Sequence, residues 1–151
     1  MLMSDTRAWL EIDLSKISHN VKEIQKLLPS TSKIMAIVKA NAYGHGDVAC
    51  AKELSRCGID FFGVSSVDEG ISLREGGIRE PILILGYTPP VHFHQVIQHD
   101  LLSCISLIIL IQTITYTKVG ENAIDCYMWQ MINFFHFLDT VVLLLCYDAQ
   151  T

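Results

Sequence analysis

Three short apolar runs, KIMAIV (residues 33–38), DFFGVSS (60–66) and PILILG (81–86), are each followed by a segment with helical spacing. Continuous apolar runs of this length mark strands buried on both faces, and strands joined through a helix lie parallel. Right-handed crossovers then leave few topologies open. The helical segments agree with this pattern. DLSKISHNVKEIQKLLP (13–29) spaces Ile17, Val21, Ile24, Leu27 and Leu28 along a helix, with Asp13 or Ser15 to cap it and Pro29 to stop it. GDVACAKELSRC (46–57) is amphipathic and closed by Gly58, VDEGISLREGG (67–77) ends at a glycine pair, and PPVHFHQVIQHD (89–100) opens on prolines. WLEID (9–13) alternates well enough to predict a further short strand. The class is α/β. A doubly wound sheet and a (β/α) barrel both begin this way, and periodicity alone does not separate them.

Charge divides the chain. Residues 1–101 hold 22 of the 27 charged side chains, and residues 102–151 hold only Lys118, Glu121, Asp125, Asp139 and Asp148. A net charge of -5 with no basic stripe excludes an electrostatic footprint for nucleic acid. The apolar stretches of the tail are broken by polar residues short of the ~20 residues a spanning helix needs, so no membrane segment is expected. Cys50, Cys57, Cys104, Cys126 and Cys146 form no CxxC pair, which argues against a zinc ribbon and gives no sign of a disulfide framework. With no basic-then-apolar leader at the N-terminus, a reducing cytoplasm is the expected location.

The chemistry concentrates in IMAIVKANAYGHG, residues 34–46. Both α/β architectures bind ligands at the carboxyl ends of their strands, and Lys39 stands at such an end. A lysine among apolar neighbours there can be partly desolvated, which frees its amine as a nucleophile or base. The plain alternative is a lysine whose stem snorkels into solvent. The residues behind it favour a site. Ala40 and Ala42 are small, Gly44 and Gly46 are flexible, Tyr43 offers a hydroxyl to an anion, and a turn entering a helix can supply N–H donors to a phosphate. An imine-forming lysine beside a phosphate cradle suits pyridoxal phosphate (PLP).

AIVKANAYGHG resembles the cofactor-lysine signature of the alanine racemases, PLP enzymes built on a barrel. RAWLEIDLSKISHNVKEI resembles the opening of that family, and FFGVSSVDEGISLREGGIREPILILGYTPP its next two strand units. The likeness is collinear over about residues 7–101. It implies the N-terminal part of a PLP-binding (β/α)₈ TIM-type barrel, incomplete in this chain. It implies interconversion of L- and D-alanine, with D-alanine supplied to cell-wall peptidoglycan, by a homodimer in the full-length family. By position, Lys39 would bind PLP covalently and act as the base on one face of the substrate. Tyr43 would hydrogen-bond the cofactor phosphate, and Leu85 would line the pocket. The alternative is a non-catalytic module that holds PLP through Lys39.

The family's second base is a tyrosine from a C-terminal domain, presented across a dimer interface, and nothing here corresponds to it. A complete barrel typically needs ~250 residues. Residues 102–151 are an apolar tail without family pattern, expected to be a frame-shifted product, so Tyr116, Tyr127 and Tyr147 are not second-base candidates. The 151-residue chain alone is expected to be inactive. His92, His94 and His99 invite a metal reading, but His92 and His94 would diverge on a helix, so no metal site is expected. His45 is expected to order its turn, and Cys50 and Cys57 to be core residues.

Overall fold

The computed structural model describes residues 10–103 and the backbone of Val141–Leu145. The elements are helix α1 (Leu14–Leu27), strand β1 (Lys33–Ile37), α2 (Asp47–Arg56), β2 (Phe61–Val64), α3 (Val67–Glu75), β3 (Ile82–Ile84), a 3₁₀ turn (Pro90–His92), α4 (Phe93–Gln98), β4 (Leu102–Ser103) and β5 (Val141–Leu145). All strand pairs are parallel, in the order β4-β3-β2-β1-β5. The three expected strand–helix units are present.

Packing separates the two architectures that periodicity could not. One sheet face carries Ile34, Ala36, Val38, Phe62, Val64, Ile82 and Ile84, and these form a single core with Val21, Cys50, Ala51, Leu54, Val67, Leu73 and Val96 of the four helices. The other face carries Met35, Ile37 and Leu83, with Phe61 and Leu102 packed beside them and no helix residue among them. A doubly wound sheet would carry helices on both faces. Among the described residues the helices lie on one face and β1 to β4 neighbour one another in chain order, as in the wall of a (β/α) barrel.

α1 begins where the side chain of Asp13 accepts the Ser15 amide at 2.9 Å and the Ser15 hydroxyl at 2.6 Å. Val21 is its buried centre, flanked by Leu14, Ile17, Ile24 and Leu28, whereas Leu27 lies off that stripe at 82% exposure. The strand expected at WLEID is absent over Leu10–Asp13. Asp13 is committed to capping α1 and Leu10 is 71% exposed, so the alternation has no layer to pack against.

The amino ends of β3 and β4 are gathered by one side chain. Arg74, near the end of α3, donates to the carbonyls of Ile78 (3.0 Å), Glu80 (2.8 Å), His99 (3.0 Å) and Asp100 (2.8 Å). Burial lowers its pKa, while nearby Asp100 and Glu80 oppose that shift.

β5 pairs with β1 over its full length, Lys33 opposite Val141 through Ile37 opposite Leu145. Residues 104–140 and 146–151 lie outside the described residues, and with them Cys104, Cys126, Cys146, Tyr116, Tyr127 and Tyr147. None of the described helices is long and apolar enough to cross a membrane.

Candidate functional site

Past β1 the backbone turns the wrong way for L-residues. Val38 extends the strand pairing through its amide, which donates to Gly63 O at 2.9 Å. From Lys39 to Tyr43 the chain makes one helical turn in which Ala40, Asn41, Ala42 and Tyr43 have φ of 51°, 56°, 51° and 56°. It is a left-handed turn. Such a conformation disfavours a non-glycine residue by about 1–2 kcal/mol, and runs of it are rare. Strain of this kind persists only where the surroundings over-determine it, and it clusters at functional sites.

Local bonds define the turn. The Ala42 amide donates to Val38 O (2.9 Å), the Gly44 amide to Asn41 O (3.0 Å) and the Gly46 amide to Asn41 O (3.0 Å). His45 Nδ1 lies 2.8 Å from Ala42 O, so this histidine orders the turn as expected. Ala42 is buried completely. The sequence argument placed the unusual backbone at Gly44 and Gly46. Both do have positive φ, but the four residues before Gly44 share it.

A carboxylate reaches the turn from the next unit. Glu69 Oε1 accepts the Ala40 amide at 2.9 Å, while Oε2 accepts the Ser65 amide at 2.7 Å and the Ser65 hydroxyl at 2.8 Å. Ser66 caps α3 by accepting the Glu69 amide at 3.3 Å. The Ser66-x-x-Glu69 pattern is a capping box, in which the glutamate normally returns to the cap residue's own N–H. Here it also joins the exits of β1 and β2. Sequence reasoning missed Glu69, although the box in SSVDE was the available signal. Burial alone would raise the Glu69 pKa, but the bonds from Ser65 and Ala40 outweigh it and hold the group below the ordinary glutamate value of 4.5. The bonds to the carboxylate are therefore fully present above that value and lost as pH falls through the lower, folded one. We expect the Ala40 and Ser65 amide resonances to titrate together with a midpoint below the ordinary glutamate value, and a midpoint at or above it would show that burial outweighs these bonds.

The residues expected to form a site all stand at the carboxyl ends of strands. Lys39 is half-buried, two residues beyond the end of β1. Tyr43 ends the same turn at 41% exposure, leaving its ring accessible to a ligand. Leu85 follows β3 at 39% exposure, and its amide donates to Val64 O at 2.8 Å. A Cβ built on Gly63 would meet Leu85 Cδ1 at 3.3 Å and Met35 Sδ at 3.2 Å and would collide with Ile37, so these side chains close over the glycine on the face that carries Met35 and Ile37. Gly86 is needed for a different reason, since a Cβ there would strike the Ser65 carbonyl oxygen.

One expectation fails. The start of α2 does not offer its N–H groups to a phosphate. The Asp47 amide donates to Asn41 Oδ1 at 3.0 Å and the Val48 amide to Asp47 Oδ1 at 2.7 Å. Local side chains occupy these two donors, and the acidic Asp47 in the first turn would repel an anion.

Elsewhere, the histidines of the 3₁₀ turn and α4 make local contacts. His92 Nδ1 lies 2.8 Å from Gln95 Oε1 and His94 Nδ1 lies 3.0 Å from Val91 O. Among the described residues no group of histidine, cysteine and carboxylate side chains could hold a metal ion. Cys50 is fully buried and Cys57 packs against the core. A polar cleft of about 360 Å³ lined by Arg74, Glu75, Arg79, Gln98, His99 and Asp100 opens at the amino ends of β3 and β4, the opposite end of the sheet from Lys39.

The family model described as alanine racemase, N-terminal domain, matches residues 12–121. The chain belongs to the alanine racemase family. Alanine racemase 1 of Caldanaerobacter subterraneus subsp. tengcongensis is 49% identical over 92 residues, covering 61% of this chain and 24% of that protein. The serine/alanine racemase of Enterococcus gallinarum is 39% identical over 122 residues, covering 81% of this chain and 17% of that protein. Among solved structures, the alanine racemase of Clostridium difficile superposes with a TM-score of 0.65 at 39% identity, covering 68% of this chain and 28% of that one. The chain thus spans about a quarter of the length of the alanine racemases it matches. The fold is the N-terminal part of their barrel.

Proposed function

We propose that this chain carries the lysine half of a PLP-dependent alanine racemase site. The observation that supports this most is the left-handed turn, which sets Lys39 at the carboxyl end of β1 with Tyr43 on the same turn. By their chemistry the residues fit PLP: a half-buried primary amine, an accessible phenol and the exposed apolar side chain of Leu85. Lys39 would hold the cofactor through Nζ, Tyr43 would donate its hydroxyl to the phosphate, and Leu85 would pack beside the ring. PLP, when bound, supplies a sink for the electron pair left at Cα. The Lys39 amine also accepts or returns the Cα proton on one face of alanine. Inversion needs a second base on the other face, which in this reading a homodimer of the full-length protein supplies. In that form the product, D-alanine, serves peptidoglycan synthesis in the cytoplasm.

A positioned acid–base group contributes roughly 10²–10⁴-fold to a rate. We therefore expect the 151-residue chain alone to give no measurable D-alanine from L-alanine. It should still bind PLP at Lys39, trapped by borohydride and located by peptide mass. Racemisation by this chain would overturn the two-base reading, and failure to label Lys39 would overturn the cofactor reading. The one-base site also favours a second possibility, a module that holds PLP without turnover. Deuterium wash-in at Cα of alanine separates the two, since a carrier exchanges none. For residues 102–151 we propose a shifted reading frame. The nucleotide sequence tests this, because an adjacent frame should then continue the racemase pattern.

A further inference from the structure

We propose that Glu69 is a positioning residue for Lys39, holding in place the left-handed turn that presents it, an inference that rests on reading Lys39 as the cofactor lysine. The turn opposes its own backbone preference at four successive residues. The other hydrogen bonds described for Lys39–Tyr43 join residues within 38–47, so they shape the turn without setting where it sits. The Glu69 bond is the long-range one, 29 residues away in sequence, and it grips the N–H next to Lys39. Its second oxygen holds Ser65 at the exit of β2. One carboxylate thus registers the exit of β1 against the exit of β2. An ionised carboxylate accepts on both oxygens and carries no donor of its own. An amide would turn its NH₂ toward either the Ala40 or the Ser65 donor.

The test compares Glu69→Gln with Ser66→Ala, which removes an ordinary helix cap and leaves the turn's bond intact. Two quantities are read on the 151-residue chain. One is amide hydrogen exchange at Ala40 without cofactor, and the other is the rate at which Lys39 captures PLP, trapped by borohydride. Misplacing a reacting group by about 1 Å can slow a reaction 10²-fold, so Glu69→Gln is expected to slow capture by about tenfold or more. Exchange at Ala40 should rise over the same range. Ser66→Ala should lower the melting temperature yet leave capture near the wild-type rate. Wild-type exchange and capture in Glu69→Gln, or an equal loss in Ser66→Ala, would overturn the proposal. If Glu69→Gln does not fold, Glu69→Asp, which keeps the charge but shortens the reach, takes its place under the same criteria. A wild-type chain that never captures PLP at Lys39 sinks the cofactor reading instead, and with it the role of Glu69.

Discussion

Replacing Lys39 by alanine is expected to abolish the borohydride-reducible PLP adduct completely. Alanine's side chain has no amine, so no covalent link can form at that position, and in the proposed site no base would remain on that face of the substrate. Lys33 gives an internal control on the same strand. It lies at the opposite end of β1, with its ammonium 5.5 Å from the centre of the Phe61 ring. Lys33→Ala should therefore capture PLP as the wild type does. Peptide mapping after reduction should find the label on the peptide containing Lys39 in both the wild type and Lys33→Ala. A Lys39→Ala chain that still carries the adduct at the wild-type rate would refute the assignment. In a full-length form the same substitution should remove racemisation together with the yellow colour.

The second large effect is on stability, and it falls at the other end of the sheet. Arg74→Ala removes four hydrogen bonds at once and leaves four carbonyls to find water. Bonds from a charged donor are worth about 1.5–3 kcal/mol each when taken singly, but bonds from one side chain do not add. We expect a loss of about 3 kcal/mol, in the range of a disrupted hydrogen-bond network. For a domain of about 100 residues that is a fall of roughly 12–24 °C in melting temperature. Arg74→Lys should recover little, because a single ammonium cannot spread over four carbonyls as a planar guanidinium does. Thermal melts followed by circular dichroism decide the point. A melting temperature for Arg74→Ala within a few degrees of wild type would show that the four bonds contribute almost nothing.

Much of the fold was legible because burial writes itself into residue choice. The runs KIMAIV, DFFGVSS and PILILG became β1, β2 and β3, and the helical stretches before and between them became α1, α2 and α3. Family membership was legible from AIVKANAYGHG around Lys39, since a strand-end lysine followed by that small, glycine-rich turn resembles the family's signature in order and spacing. The hand of the turn was not legible. Ala40, Asn41 and Ala42 are ordinary residues whose preference is right-handed, and a carboxylate distant in sequence helps override it. WLEID misled for a related reason: alternation reports a half-buried strand only where a layer exists to bury it, and among the described residues Leu10 has none. The one-sided helix layer was also beyond periodicity, because both α/β architectures use the same repeating unit.

The bond from Ala40 to Glu69 also sets an order of events in time. Glu69 is made after β2, and it reaches Ala40 only once β2 has paired with β1 and α3 has formed. A growing chain that has passed Lys39 but not yet Glu69 holds the sequence of the lysine turn without the tie that seats it. The lysine is therefore presented late, as a product of the assembled strand–helix–strand–helix unit rather than of its own neighbourhood.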